Sequence, residues 1–131
     1  MTDPVREFIR AFNEQDLDAF VAVLAPEVEL HSGRGLRKGR EAARLWATKK
    51  PGGVQQTIEL EELYEEGLEG GGGHAVALIR RRWRWEEDGS EAGVDEMAWA
   101  FELHDRHIRS WRPYDDREQA LREWHFVPPL G

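Results

Sequence analysis

Apolar residues recur at every second position in the C-terminal third of the chain and predict a long β-hairpin between Val94 and Tyr114. This period is typical of a strand with one buried face, because successive side chains point to opposite sides of a sheet. Residues 104–107 form a polar break that predicts the turn. The apolar face of the first strand consists of Met97, Trp99, Phe101 and Leu103. In the second strand, alternation predicts one face with Ile108, Ser110, Arg112 and Tyr114 and another with Arg109, Trp111 and Pro113.

The N-terminal half shows the three-to-four-residue spacing of amphipathic helices. Asp3 and Pro4 predict the start of a first helix. Asp16 predicts the start of a second helix, which Pro26 is expected to end. A short strand is predicted at residues 28–32, followed by a glycine-containing loop and a third helix at residues 40–50. The inward face of the third helix is predicted to consist of Ala42, Leu45 and Trp46.

Strands dominate the rest of the chain. Residues 55–66 and 74–85 are predicted as two strands before the hairpin, joined by a flexible turn from Gly70 to Gly73. Asp116 is predicted to cap a short last helix that runs to Trp124. Three helices followed by a mostly antiparallel sheet predict an α+β fold in one domain over residues 1–131. A curved sheet over a helix layer leaves a concavity in which a ligand is expected to bind.

Composition and charge exclude several classes of function. The chain has no cysteine, which excludes disulfides, thiolate nucleophiles and cysteine-based zinc sites. The formal net charge of -8 disfavours nucleic acid as the main partner, since phosphate binding needs a basic surface. No apolar run approaches the ~20 residues of a membrane span, and a cytoplasmic location without a membrane partner is expected. No pair of histidines has a metal-ligand spacing on one helix, and we predict neither a metal nor a cofactor.

Three strings along the chain resemble the SnoaL-like branch of the NTF2-like superfamily. They are VREFIRAFNEQDLDAFVAVLAPEVELHS, similar to the family's opening helix pair and first strand, LRKGREAARLW, similar to its loop and third-helix entry, and FELHDRHIRSWRPYDDREQAL, similar to its closing hairpin and helix. The resemblance implies a cone-shaped α+β barrel with three N-terminal helices packed on a curved sheet. It also implies a pocket between the helices and the concave face, and a homodimer formed through the outer face.

Relatives in this family include polyketide cyclases, ketosteroid isomerases, epoxide hydrolases and dehydratases, so the fold alone does not choose an activity. The family's enzymatic cyclases carry a histidine in the strand before the last hairpin and an acid in the final strand. In this chain Trp99 occupies the histidine position, and the final strand has Ser110, Arg112 and Tyr114 in place of an acid. Asp115 and Asp116 follow that strand and could reach back, although Asp116 is more simply a helix cap. The departure weakens the prediction of cyclase chemistry.

The candidate site residues form two sets. Indole and phenol rings offer a large flat surface with one polar atom, which suits an apolar pocket. The candidate ligand-binding residues are Trp46, Trp83, Trp99, Trp111 and Tyr114, with core or interface packing as the alternative. For acid–base catalysis, the candidate bases are His31, Glu96 and Asp116, with Arg112 or Tyr114 holding a developing oxyanion. A surface or structural role is the simpler explanation for His31. We further hypothesise that Arg112 and Tyr114 supply the polar contacts of the pocket.

Arginines interleaved with tryptophans in the second long strand resemble a basic, aromatic nucleic-acid surface. They are Arg80, Arg81, Arg82 and Arg84, with Trp83 and Trp85. Glutamates at 59, 61, 62, 96 and 102 lie on neighbouring predicted strands, so cross-strand ion pairs are the simpler explanation.

Three hypotheses for the function follow from the sequence. The first is a homodimer that binds a small hydrophobic or aromatic molecule. The second is a cofactor-independent isomerase, cyclase or hydratase of the polyketide, steroid or terpenoid type. The third is a dimeric accessory module whose pocket is filled by its own tryptophans. An open pocket without a buried carboxylate would favour the first, an open pocket with one would favour the second, and a closed pocket would favour the third.

Overall fold

The computed structural model describes residues 3–33, 35–48, 54–67 and 72–126. In this part of the chain the helices are α1 (Pro4–Glu14), α2 (Leu17–Ala22), α3 (Arg40–Ala47) and α4 (Arg117–Glu123). The strands are β1 (Leu24–Ser32), β2 (Gly35–Lys38), β3 (Val54–Glu66), β4 (Gly73–Trp85), β5 (Glu91–His104) and β6 (His107–Tyr114). The predicted α+β class is confirmed, with three helices before β3 and a fourth after the last strand.

The six strands form one sheet in the order β2-β1-β6-β5-β4-β3. β1 runs parallel to β6, and the other neighbouring pairs are antiparallel. The sheet is therefore open, with β2 and β3 at its two edges, where the resemblance implied a barrel. The loop predicted between the first strand and the third helix contains β2, a short strand that the sequence pattern does not reveal.

A hydrophobic cluster packs on each face of the sheet. The inner face packs against α1, α2 and α3, and the buried residues of this cluster include Phe8 and Phe20 of the helices and Leu30 and Phe101 of the sheet. The outer face packs against α4 through a smaller cluster that includes Val76, Ala98, Ala100 and Leu121. The sheet thus separates two clusters, and each side chain's function depends on the face it occupies.

Side chains fix the ends of α1. The Asp3 carboxylate caps its start by accepting a hydrogen bond from the Val5 amide at 2.8 Å. At its other end, the Asn13 side-chain amide donates to the Ile58 carbonyl and accepts from the Ile58 amide, both at 2.8 Å. These two bonds satisfy backbone groups on edge strand β3, which would otherwise be open to pairing with another chain.

Several sequence-based boundaries are wrong. α2 ends at Ala22, so Pro26 does not terminate it and instead lies within β1. α3 ends at Ala47 and buries Ala43 and Ala47, while Leu45 is 69% exposed. The helical spacing correctly selects Trp46, which packs against the inner core, but the apolar character of Leu45 does not make it a core residue.

A bulge changes the predicted faces of β6. Leu103 pairs with Ile108 and Glu102 pairs with Ser110, which leaves Arg109 as the extra residue. Because of this insertion, Ile108 and Trp111 both lie on the inner face, whereas strict alternation predicts opposite faces.

The predicted glycine turn is described only in part, since Gly70 and Gly71 lie outside the described residues. Gly73 has a φ of +103°, in the region that favours glycine. A Cβ atom at this position would lie 2.2 Å from the Glu66 carbonyl oxygen. Glycine is therefore required where β4 begins.

Glu65 of β3 gives the fold a pH-dependent contribution to stability. A hydrogen bond with Asp3, with smaller effects of burial and of the Asp3 charge, raises the pKa of the Glu65 carboxyl to about 7. The folded state therefore holds this proton more tightly than the unfolded state does. Stability should consequently fall as pH rises from about 4.5 to about 7 and stay reduced above that.

The Glu65→Gln variant should be more stable than the parent protein above pH 7 and nearly equal to it near pH 4.5. A neutral amide retains a donor for Asp3 and removes the charge. Because Glu65 is exposed, solvent screening reduces the expected gain to about 1 kcal/mol at pH 8. Thermal melts of both proteins from pH 4.5 to 8 measure this difference in stability. Glu27→Gln, at another exposed glutamate, is the control. A constant difference between Glu65→Gln and the parent across this range would contradict the prediction.

Candidate functional site

A cavity of about 1170 Å³ lies at one end of the inner face, between the sheet and the C-terminal ends of α1 and α3. It is open to solvent. The start of β3, the ends of β1, β4 and β6, and the middle of β5 complete its walls. The concavity predicted between helices and sheet is therefore present.

Aromatic side chains form the deep wall of the cavity. The Trp46 ring lies 4.7 Å from Trp111 and 5.5 Å from Phe12, measured between ring centroids. Trp99 meets Trp111 edge to face at 5.3 Å and meets Phe12 in the same way at 6.2 Å. These four rings form one connected aromatic wall, of which the half-buried Trp46 is the most exposed member, and an apolar wall of this kind suits a ring-shaped molecule.

Three nitrogen donors among the lining residues have no hydrogen-bond partner in the described part of the chain. They are Nε1 of Trp99, Nε1 of Trp111 and Nε of Arg37. Trp99 and Trp111 are only 3% and 4% exposed. Buried donors in folded proteins are normally paired, so three unpaired donors around one cavity need an explanation.

Side chains of β4 and β5 form a hydrogen-bonded group at the rim of the cavity. The Trp83 indole donates to Asp95 at 2.9 Å, and Arg81 donates to the same carboxylate at 2.8 Å. Arg81 also lies over the Trp83 ring, 4.4 Å from its centroid. The Trp83 hydrogen bond and the Arg81 guanidinium both hold the pKa of Asp95 below its usual range. The charge of Arg81 is therefore paired within the protein.

The helix side of the cavity is held by Gln15, which has a φ of 56° just after α1. Its side-chain amide donates to the Phe12 carbonyl at 3.0 Å and to the Ala47 carbonyl at 2.9 Å. These bonds join the C-terminal ends of α1 and α3, and so fix the two helices that carry Phe12 and Trp46. The aromatic wall is thus set by the backbone of two helices and not by ring packing alone.

The structure brings four of the five predicted ligand-binding residues to the cavity. Trp46, Trp99 and Trp111 form the aromatic wall, and Trp83 lies at the rim. Tyr114 does not line this cavity. It lies on the outer face, where its hydroxyl accepts a hydrogen bond from the Trp124 indole at 3.0 Å. The same hydroxyl donates to Glu123 and holds the pKa of that carboxyl below its usual value.

The predicted catalytic residues are not brought together. Glu96 pairs with Arg80 on the outer face, with a nitrogen–oxygen distance of 3.0 Å. Asp116 caps α4, where it accepts from the amides of Glu118 at 2.9 Å and Gln119 at 3.2 Å. His31 contributes to the cavity rim at the end of β1, and its Nε2 atom lies 3.6 Å from a Glu29 oxygen.

Arg112 is also on the outer face, opposite Ala100 of β5. The placement of Arg112 and Tyr114 in the pocket is therefore contradicted. The residues of β6 that face the cavity are Trp111 and Pro113, because the bulge at Arg109 sets the parity of the whole strand. An inward position suits the apolar side chain of Trp111, whereas strict alternation from Ile108 would place Trp111 on the outer face.

Sequence reasoning missed the positions of two charged residues of the cavity, Arg37 and Arg81. Arg37 lies on β2, in a segment for which the sequence predicts a loop. Arg81 was assigned to a cross-strand ion pair, which is correct, but its position at the rim was not foreseen. Asp115 follows β6 and lines the cavity, as its possible reach back from the strand end suggested.

The arginine-rich strand is explained by ion pairs. Arg80 pairs with Glu61 and Glu96, and Arg82 pairs with Glu59 and Glu91. Cross-strand neighbours therefore balance these charges, as the simpler of the two sequence hypotheses predicts. Within the described residues, no cluster of three or more metal-ligating side chains occurs, and no helix has the length and hydropathy needed to cross a membrane.

A smaller cavity of about 390 Å³ lies on the outer side, beside the start of β4 and the end of α4. His74 is 3.1 Å from the Trp124 carbonyl oxygen there, and its ring lies against Trp124 and Phe126. These contacts attach the C-terminal residues to the sheet, which gives His74 a structural role.

Comparison with known proteins agrees with the architecture. The structure of an LEH-like epoxide hydrolase from Mycobacterium tuberculosis superposes on this chain with a TM-score of 0.70 at 16% sequence identity, and the match covers 93% of this chain and 82% of that one. For a proposed polyketide cyclase from Pseudomonas putida the TM-score is 0.69 at 19% sequence identity, and the match covers 95% of this chain and 98% of that one. A third structure is a protein with a ketosteroid isomerase-like fold from Catenulispora acidiphila, in complex with trimethylamine. Its TM-score is 0.71 at 14% sequence identity, and the match covers 97% of this chain and 95% of that one.

These likenesses, all below 25% identity, establish the fold alone. Among proteins of curated function, none matches the chain in sequence. The family model described as the SnoaL-like domain matches residues 5–111, which include α1 and most of the sheet together with the aromatic wall of the cavity. The chain therefore belongs to the family of SnoaL-like domains.

Proposed function

We propose that this protein binds a small hydrophobic or aromatic molecule in the cavity between the helices and the sheet. The observation that supports this most directly is an open cavity with an aromatic wall and no buried charged residue among the described side chains. An apolar pocket with a few polar groups is the usual form of a small-molecule site. An open cavity also argues against the accessory module, whose tryptophans would fill the pocket.

A thermal-shift screen of polycyclic, terpenoid and aromatic-acid compounds tests the proposal. A ligand at 100 times its dissociation constant stabilises the fold by about 2.7 kcal/mol, which corresponds to a rise in Tm of roughly 10 °C for a domain of this size. A coherent set of hits supports binding. A well-behaved melt without any hit in all classes would contradict binding and favour the accessory module.

Leu45 offers a variant that separates binding in this cavity from binding elsewhere. It lines the mouth and is 69% exposed, so Leu45→Glu should leave stability nearly unchanged. It should weaken an apolar hit by about tenfold, since loss of one leucine contact corresponds to about 1–2 kcal/mol. Leu36→Glu is the matched control, because Leu36 is also exposed but does not line the cavity. Equal effects of the two variants in titration calorimetry would contradict binding in this cavity.

A second candidate function is acid–base catalysis of the isomerase, cyclase or hydratase type. The observation in its favour is that His31 and Asp115 line the same cavity. Glu96, Asp116, Arg112 and Tyr114 are absent from that lining. Chromatographic detection of product from a screening hit tests the hypothesis, and turnover that disappears in both His31→Asn and Asp115→Asn would support it. Turnover that survives both changes would exclude these residues as the acid–base pair.

The homodimer remains part of the proposal. α4 and its cluster cover part of the outer face over β4 and β5, so a dimer through this face would use the charged region near Arg80 and Arg82 or the surface of β6. Sedimentation velocity over a range of protein concentrations tests it. A monomer at all concentrations would contradict the dimer.

A further inference from the structure

The three unpartnered donors of the cavity indicate the chemistry of its ligand. An N–H group that is buried without an acceptor costs about 1–3 kcal/mol relative to a paired one. Trp99, Trp111 and Arg37 each carry such a group, and all three line the same cavity. A ligand with acceptor oxygens would satisfy donors that the protein leaves unpaired.

The sheet places these donors in one region. Arg37 of β2 pairs with Leu30 of β1, and Leu30 pairs with Trp111 of β6. Two of the donor residues, Arg37 and Trp111, therefore lie in one row across the inner face, on either side of Leu30. Neighbouring strands are about 4.8 Å apart, so the backbones of Arg37 and Trp111 are separated by about 10 Å, within reach of an arginine side chain. Trp99 is opposite Pro113, two residues beyond Trp111, and its ring lies 5.3 Å from that of Trp111.

The charges around the cavity favour an anion. Arg81 is already paired with Asp95 at 2.8 Å. Arg37, by contrast, forms no ion pair with any carboxylate among the described residues. Asp115, the acid of the lining, is exposed at the end of β6. An anionic group near Arg37 would therefore gain a charge-assisted hydrogen bond, whereas a cation would find no buried acid.

Resting on the small-molecule binding proposed above, we infer that the ligand is an organic carboxylate with a planar apolar body. Its oxygens accept hydrogen bonds from the Arg37 guanidinium and from the Trp99 and Trp111 indoles. Its apolar body lies against the aromatic wall that includes Trp46. The carboxylate thereby pairs the three donors, and the ring replaces water on the indole surface.

Three probes with the same ring test this inference: 2-naphthoate, 2-naphthalenemethanol and trimethyl(2-naphthylmethyl)ammonium. Titration calorimetry of the full chain at pH 7.5 should give 2-naphthoate an affinity at least tenfold higher than that of the alcohol, with the ammonium probe weakest. Arg37→Met should remove most of this preference and leave the alcohol's affinity nearly unchanged. Lys38→Met is the matched control, because Lys38 is the next residue of β2 and lies on the opposite face.

The indole N–H signals provide a second measurement that does not depend on a variant's stability. In ¹H–¹⁵N spectra, assigned with Trp99→Phe and Trp111→Phe, these two signals should move further downfield with 2-naphthoate than with the alcohol. Both probes carry the same ring, so the difference reports the carboxylate. Exposed Trp85 does not line the cavity, and its signal should not move.

The outcomes separate this inference from the proposed function. If the alcohol or the ammonium probe binds as tightly as 2-naphthoate, or if Lys38→Met acts like Arg37→Met, the carboxylate inference is overturned while small-molecule binding stands. If none of the three probes binds and the wider screen also gives no hit, both are overturned. Tight binding of 2-naphthoate that depends on Arg37 supports both.

Discussion

Replacement of Phe8 by alanine is expected to lower the free energy of unfolding by about 3–5 kcal/mol, the largest effect of the single substitutions considered for this protein. Phe8 is completely buried in α1. Its ring lies 4.8 Å from Phe20 and 5.2 Å from Phe101, and meets Trp99 edge to face at 6.0 Å. Alanine would leave a cavity between α1, α2 and β5, where the helix layer meets the sheet.

Chemical denaturation followed by tryptophan fluorescence measures this loss. Phe8→Leu keeps most of the buried volume and should cost a smaller amount, about 1–2 kcal/mol. Leu45→Ala is the exposed control and should change stability by less than about 0.5 kcal/mol. If Phe8→Ala costs no more than Leu45→Ala, α1 does not pack on the sheet as described. Because Trp99 contacts both Phe8 and the cavity, we also expect Phe8→Ala to weaken ligand binding.

Replacement of Arg117 by methionine is expected to lower the free energy of unfolding by about 2–3 kcal/mol. Arg117 is the first residue of α4, and its Nη2 donates to the Ile79 carbonyl at 2.7 Å. Its Nε donates to the Met97 carbonyl at 3.3 Å, and its guanidinium forms an ion pair with Glu61. This one side chain therefore joins α4 to three neighbouring strands.

The ionic partner of Arg117 is Glu61, the extra residue of the bulge between Leu60 and Glu62 in β3. The hydrogen bond from Arg117 holds the pKa of the Glu61 carboxyl below its usual value. Methionine preserves the apolar stem of Arg117 but removes all of its donors. Arg122→Met, at an exposed position on the same helix, controls for loss of a positive charge and should change stability by less than about 0.5 kcal/mol. Equal losses for the two variants in denaturant titrations would contradict a specific role for Arg117.

The local elements could be predicted from the sequence because their causes are local. Alternation over residues 97–103 and helical spacing after Asp3 reflect which side chains must be buried, and both elements are present. Asp3 and Asp116 cap helices as their position before each helical pattern indicates. The family resemblance, carried by strings along nearly the whole chain, correctly implied the packing of three helices against the sheet.

The composition of the candidate site was predictable only in part. Tryptophans at alternating or helical positions were expected near a pocket, and Trp46, Trp83, Trp99 and Trp111 all line it. Polar residues carry no such signal, because a polar side chain is compatible with either face of a strand wherever an ion pair, a hydrogen-bond partner or solvent is within reach. For that reason Glu96, Asp116, Arg112 and Tyr114 were predicted for the site but lie elsewhere, whereas Arg37 was not predicted for the site.

Only the tertiary structure decided the parity of β6 and the existence of β2. One inserted residue, Arg109, reverses which side chains face the helices, since a strand has a period of two. Pairing of β2 with β1 brings Arg37 into the same row as Trp111, although the two residues are 74 positions apart in the chain. The sequence by itself determined most of the segments that form helices and strands, β2 excepted, and that aromatic rings would gather on the sheet. Long-range pairing and one bulge decided which polar groups face the cavity, because both depend on contacts between segments that are distant in sequence.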